Sequence, residues 1–273
     1  LSGVAGHESI VAEGPCKGVS LPELIDRYGA ELVGKSNYER FGNEFPLLVK
    51  FIDAREDLSI QVHPDDRLAW ERHRMHGKTE MWYVVSETGG ASLRIGFDRR
   101  VDAETYAAAV ADHTICDLLR DHPIAAGDVF FLPAGRVHSI GAGAFIAEIQ
   151  QTSDLTYRIY DYGRLGADGK PRQLHIPQAL DVTLREPPKA QDFHGHLAQC
   201  DYFTVDAVEG SFEDVCDETS FTSLLVLEGK GTLTETATGE SLPIRKGQSL
   251  FLPAGTGAYA VTGTDLKCLR TRV

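Results

Sequence analysis

Four residues of this chain could together hold a divalent metal: Gln61, His63, Glu80 and His138. They offer one amide oxygen, two imidazoles and one carboxylate. Such a mixed nitrogen and oxygen set suits zinc, or another divalent ion such as manganese, nickel, cobalt or iron. With a single anionic ligand the centre keeps a net positive charge and stays a strong Lewis acid. A bare Gln-x-His pair is more often structural than ligating, and the four residues carry weight only as a set.

The elements that must position them can be read from the spacing. Gln61 and His63 lie in Leu58-Ser-Ile-Gln-Val-His-Pro64, where strand alternation turns Ser59, Gln61 and His63 to one face and Ile60 and Val62 to the other. Glu80 heads a second strand-like run, Met81 to Val85. His138 closes the stretch Gly127-Asp-Val-Phe-Phe-Leu-Pro133-Ala-Gly135-Arg-Val-His138. There Val129 to Leu132 reads as a strand, and Pro-Ala-Gly ends it because proline lacks an amide hydrogen and glycine tolerates positive φ. His138 thus starts the next strand at a fixed offset from a rigid turn. The same frame returns as Gly247-Gln-Ser-Leu-Phe-Leu-Pro253-Ala-Gly255-Thr-Gly-Ala258, with alanine in the place of the histidine. The recurrence implies a duplicated β-domain, one copy keeping a metal ligand and the other losing it.

These residues resemble a known family. Gly127 to His138 resembles the second cupin motif, and Gln61-x-His63 followed by Glu80 resembles a variant of the first. The strings Leu58 to Pro64, Gly77-Lys-Thr-Glu80, Leu132 to His138 and Thr152-Ser-Asp154-Leu-Thr-Tyr-Arg158-Ile-Tyr-Asp161 are similar to those of type I phosphomannose isomerases, in their short bacterial branch. The resemblance covers nearly the whole chain and implies a zinc-dependent enzyme with one ion per chain, bound by Gln61, His63, Glu80 and His138. It places Lys50, Ser59, Lys78 and Arg158 at the substrate. Arg158 matches the family's active-site arginine, Asp154 stands at a position proposed for acid or base work, and Glu148 is a further candidate carboxylate. The base is left open between Glu148, Asp154 and a histidine.

The implied reaction is the interconversion of mannose 6-phosphate and fructose 6-phosphate through a cis-enediol, with Arg158 supporting the transition state and Asp154 with Lys78 assisting ring opening. Two other readings stand beside it: a metal-dependent cupin acting on another sugar phosphate, and a non-catalytic sugar-phosphate-binding protein. The net charge of −13 excludes the usual basic nucleic-acid binder and leaves phosphate recognition to local cations, of which Lys50, Lys78, Arg136 and Arg158 lie near the proposed shell in sequence. No apolar run approaches the roughly 20 residues of a membrane span, and no signal-peptide pattern opens the chain. Five cysteines without a Cys-x-x-Cys fit a reduced, cytoplasmic protein. The resemblance also implies a segment of a few tens of residues preceding Leu1. Oligomeric state is not legible.

The expected fold is mainly β, with two tandem cupin jelly-roll barrels and a few short helices. An N-terminal segment, residues 1–40, carries a capping box at Ser20-Leu-Pro-Glu23 and a helical stripe from Leu21 to Leu32, stopped by Gly34. The catalytic barrel is assigned to 41–160, with a helix after Asp66 ending at Gly77 and a helix-like insertion from Asp102 to about Arg120. A bridge, 161–194, holds a helix from Ile176 to Arg185. The second barrel, 195–273, contains a strand from Ser223 to Leu227 followed by a turn at Glu228-Gly-Lys-Gly231. His194-Gly-His196 is read as structural, since no carboxylate and histidine partners follow it at cupin spacing.

Overall fold

The computed structural model describes residues 1–166 and 168–273. Two compact units form, one from Leu1–Leu48 with Asp192–Val273 and one from Val49–Gln191. These limits differ from the expected divisions after 40, 160 and 194, and the packing gives the reason. The N-terminal helices lie against the C-terminal sheet, where Asn37 donates to Ser220 Oγ at 3.1 Å and Phe45 meets Phe221 at 5.1 Å. The expected bridge instead packs on the preceding sheet through Ala179.

Three helices come first: α1 (Leu21–Tyr28), α2 (Ala30–Val33) and α3 (Lys35–Phe41). The capping box forms, with Ser20 Oγ accepting from the Glu23 amide and the Glu23 carboxylate accepting from the Ser20 amide. The single stripe expected to Leu32 breaks at Gly29, whose amide closes α1 on the Ile25 carbonyl, and Tyr28 faces solvent.

Next come β1 (Leu47–Asp53), β2 (Ile60–Val62) and α4 (Asp66–His73), then β3 (Glu80–Glu87) and β4 (Ser92–Phe97). Helix α4 ends at a left-handed Arg74, short of Gly77. The insertion is only partly helical: α5 (Ala103–Ala111), a 3-10 turn at Ile115–Leu118, and β5 (Leu119–Pro123). After it run β6 (Val129–Leu132), β7 (His138–Ile140), β8 (Ala144–Gln151), β9 (Tyr157–Tyr160) and α6 (Ile176–Val182).

These strands make two sheets, ordered β1-β8-β3-β6 and β5-β4-β7-β2-β9; β3 pairs antiparallel with β8 and β6, and all neighbours in the second sheet are antiparallel. Their inner faces share one apolar cluster, Trp82, Val84, Leu132 and Ile146 from the first sheet and Leu93, Ile95 and Ile140 from the second. Outside the five-stranded sheet, Ile60 and Val62 pack with Tyr106 and Val110 of α5 and Ala179 of α6. The apolar face of β2 is therefore spent on the helices, and its polar face, with Gln61, turns into the sandwich.

The C-terminal sheet holds β10 (Ala198–Gln199), β11 (Thr204–Glu209), β12 (Phe212–Cys216), β13 (Thr222–Glu235), β14 (Ser241–Arg245), β15 (Ser249–Leu252) and β16 (Gly257–Arg272). The turn expected at 228–231 does not form. Instead β13 runs on to Glu235 against β16, taking register shifts on either side of Glu228. The fold is mainly β, as expected. No helix among the described residues is long and apolar enough to cross a membrane.

Candidate metal centre

Strand pairing assembles the centre. His138 on β7 stands opposite Gln61 on β2, and Gln61 stands opposite Arg158 on β9. Directly opposed residues share a face, so the three side chains form one cross-strand row. On the other sheet Glu80 opposes Gln150 and Trp82 opposes Glu148, which puts Glu80, Trp82 and Glu148 on a common face.

The two faces meet at His63, Glu80 and His138, all buried, whose donor atoms lie within 4.8 Å of one another. Glu80 Oε1 is 3.2 Å from His138 Nε2, and Glu80 Oε2 is 3.7 Å from His63 Nε2. Each imidazole has its far nitrogen fixed on a backbone carbonyl: His63 Nδ1 on Leu155 O at 2.9 Å, His138 Nδ1 on Arg136 O at 2.8 Å. A carbonyl can only accept, so both rings carry their proton on Nδ1 and aim an Nε2 lone pair at the centre. The Gln61 amide nitrogen lies 3.3 Å from His138 Nε2. Half a turn of that amide presents its oxygen instead.

The residues fit a metal by their unsatisfied atoms. His63 Nε2 and Glu80 Oε1 are buried without a hydrogen-bond partner, and Glu80 Oε2 faces the Lys78 ammonium at 3.2 Å. Buried acceptors converging on one point are costly, and a divalent cation removes the cost. The two imidazoles are held neutral. Burial, then the charges of Lys78 and His138, hold the His63 imidazole far below the usual histidine range. Burial depresses His138 to about 4. Burial and the Glu148 carboxylate raise Glu80, against the pull of Lys78.

Around this core lies a second tier of charge. Burial would raise Glu148, but Lys78 and Lys50 outweigh it and hold the carboxyl below its ordinary range. Lys50 Nζ sits 2.9 Å from Glu148 Oε1, and Trp82 Nε1 donates to Oε2 at 2.8 Å. Buried Lys78 stands 3.2 Å from Glu80 Oε2 and 4.0 Å from Glu148 Oε1, and these two carboxylates raise its pKa despite burial. Ser59 Oγ donates to Gln61 Oε1 at 3.4 Å. Arg158 is half-buried, with Nη1 donating to Gln173 O at 3.1 Å. Asp154 is exposed, and its charge is felt at Lys78.

Two sequence-based expectations divide differently. Arg136 turns its guanidinium to the Glu186 carbonyl at 2.7 Å, away from the metal donors. His196 is paired with Asp206 at 2.6 Å and His194 lies 3.7 Å from Asp192, so neither joins a donor cluster. Sequence reasoning missed Trp82, although its place two residues after Glu80 puts it on the same strand face. It also missed His175, whose amide donates to Arg158 O at 2.8 Å and whose Nδ1 accepts from the Arg158 amide at 3.2 Å. Sequence gives no signal for that clasp.

Two histidines, a glutamate and a glutamine amide enclosed between antiparallel sheets define a cupin site of the metal-binding type. Two family models match: "Phosphomannose isomerase type I, catalytic domain" over residues 4–86 and "Mannose-6-phosphate isomerase, cupin domain" over residues 194–273. The chain is 39% identical to the mannose-6-phosphate isomerase of Streptococcus mutans, across 96% of this chain and 83% of that protein. It is 34% identical to the mannose-6-phosphate isomerase ManA of Bacillus subtilis, across 94% and 82%. A crystal structure of the Bacillus subtilis mannose 6-phosphate isomerase superposes with a TM-score of 0.87 at 31% identity, covering 100% of this chain and 88% of that one. The chain belongs to the type I phosphomannose isomerases, a family of aldose-ketose isomerases.

Proposed function

We propose that this chain interconverts mannose 6-phosphate and fructose 6-phosphate, with one zinc ion held by Gln61, His63, Glu80 and His138. The observation that carries this reading is the convergence of three buried donor side chains, His63, Glu80 and His138, beside Lys50, Lys78 and Glu148. A cation held there by Gln61, His63, Glu80 and His138 would supply positive charge to stabilise the enediolate that develops on the C1 and C2 oxygens.

The chain's own groups do the rest. Arg158 and Lys50 draw the phosphate, the first by its planar fork and the second as a point charge. Lys78 and Asp154 assist ring opening, the ammonium donating to the ring oxygen and the carboxylate taking the O1 proton. Glu148 then removes the C2 proton and returns it to C1. Lys50, Lys78 and Trp82 hold Glu148 ionised and oriented for that transfer. Ser59 steadies Gln61 and offers a hydroxyl to the substrate.

Proton NMR of mannose 6-phosphate in deuterium oxide tests the reading, run with zinc-loaded protein and again after chelation. The expected result is fructose 6-phosphate carrying deuterium at the migrating position, lost on chelation and restored by zinc. Neither product nor exchange from a metal-loaded protein would overturn it.

A further inference from the structure

A cavity of about 700 Å³ opens in the unit formed by Val49–Gln191, and none of the proposed metal or substrate residues lines it. Its charged lining is Arg100, Arg136, Arg185, Lys189, Asp102 and Glu186, a surplus of two positive charges on a chain whose net charge is −13. Both carboxylates have other work. Asp102 caps α5 by accepting from the Thr105 amide at 2.7 Å, and Glu186 stands 3.9 Å from Arg100.

The cavity is built rather than incidental. Segment 182–189 is pinned across the Pro133-Ala-Gly135-Arg turn: the Leu184 amide donates to Gly135 O at 2.8 Å, and the Val101 amide to Arg185 O at 2.9 Å. Close approach at two glycines makes this possible. A Cβ at Gly135 would lie 2.6 Å from Val182 O, and one at Gly96 would lie 2.8 Å from Pro188 and 3.1 Å from the Arg136 stem. Arg136 is thereby held half-buried, bonded to the Glu186 carbonyl and to no carboxylate. Burial lowers its pKa for want of an anion. Arg185 and Lys189 likewise have no side-chain hydrogen bond or ion pair among the described residues. Phe131, Leu184 and Pro188 add apolar surface to the lining.

We propose that this cavity is a second anion site, distinct from the metal centre, which binds a small phosphate monoester with its phosphate on Arg136, Arg185 and Lys189 and its organic part against Phe131 and Pro188. The dimensions suit such a ligand, since small-molecule pockets run to roughly 300–1,000 Å³. Guanidinium groups recognise phosphate by paired N–H donors, and a half-buried one without a carboxylate partner gains most.

The test is isothermal titration of phenyl phosphate into the zinc-loaded full chain. Two binding events are expected, and the Arg185→Gln, Lys189→Gln double variant should weaken one of them by roughly tenfold or more while sparing the other. Arg158→Ala should weaken only the other. Both substituted side chains of the double variant are at least partly exposed, so it should fold, and an unchanged melting temperature checks this. Arg136→Gln, which also loses the Glu186 contact, should act on the same event. A single event abolished by Arg158→Ala alone, or two events indifferent to the double variant, would overturn the proposal. The inference does not depend on which sugar phosphate the metal centre acts on.

Discussion

Lys50 on β1 pairs with Glu148 on β8 at 2.9 Å, and Asp206 on β11 pairs with Arg270 on β16 at 2.8 Å. The two pairs occupy corresponding places. Leu132 and Leu252 sit at the same point of the repeated turn, their strand partners are Glu80 and Thr222, and two residues further on Trp82 opposes Glu148 while Leu224 opposes Arg270. An acid in one sheet pair thus stands where a base stands in the other. The C-terminal set balances its own charge: Asp214 accepts from Arg270, Arg272 and the Tyr259 hydroxyl, and Asp206 from Arg270 and His196. The set in Val49–Gln191 matches Glu80 and Glu148 with Lys78 and Lys50, yet leaves His63 Nε2 and Glu80 Oε1 buried without a hydrogen-bond partner. A network whose acceptors all meet donors has no need of a cation, and converging lone pairs without donors do.

The copies also differ in which way they face. His138 is buried opposite Gln61, whereas Ala258 is exposed opposite Val215, itself 55% exposed. The next residue, Tyr259, is the one that turns into the core. Gly257, at φ +81, stands where the first copy has Val137 and takes a backbone conformation that valine avoids. Loss of the second metal site is therefore a change of face as well as of residue.

The comparison can be broken most sharply at Glu80. Glu80→Gln should cost roughly 10³-fold in kcat/KM, because it removes the only anionic ligand and with it several kcal/mol of charge stabilisation. In metal-free protein the same change should leave the melting temperature no lower, since it relieves the buried repulsion with Glu148. Arg158→Ala should cost about 10²-fold in turnover with the metal content unchanged, as loss of one transition-state donor does. Asp214→Asn takes the carboxylate partner from Arg272 and one of two from Arg270, and should destabilise by about 1–3 kcal/mol, read by denaturant titration, with the per-folded-molecule turnover preserved.

Acid should separate the two regions by sign. Partial burial would raise Asp214, yet hydrogen bonds from Arg272 and the Val215 amide bring it to about 2. A carboxyl depressed in the fold contributes stability above its unfolded pKa and loses it as pH falls, here between about 3.9 and about 2. Glu80 runs the other way in metal-free protein: its folded pKa is raised, so stability drains as pH rises through it. Melting temperature against pH, with and without chelator, checks both signs. The smallest effect should come from Ala258→His, which points an imidazole at solvent: a stability change within about 0.5 kcal/mol and no second equivalent of zinc. A second equivalent would mean that the faces are not reversed.

Much of the donor cluster was legible in sequence because its parts are local. Gln61 and His63 follow from a period of two, and His138 from a proline and glycine turn at fixed offset. The clamp on Glu148 was not legible, because Lys50 and Trp82 reach it only through the adjacency of β1, β8 and β3, a non-local pairing. Reversal of the second copy was hidden for a related reason. A one-residue slip moves every side chain to the other face without disturbing the motif that announces the strand. The helix break at Gly29 is a local cap that the apolar stripe masked, whereas β13 continues past Gly231 because pairing with β16 overrides the local turn signal.

Anomalous diffraction at the zinc edge, from crystals of zinc-loaded protein, tests the contrast between the two copies most directly. The expected map has one peak per chain, within bonding distance of His63 Nε2, His138 Nε2 and a Glu80 oxygen, and none among Asp206, Asp214 and Arg270. A peak in the C-terminal network, or a loaded protein whose zinc lies away from Glu80, would contradict it.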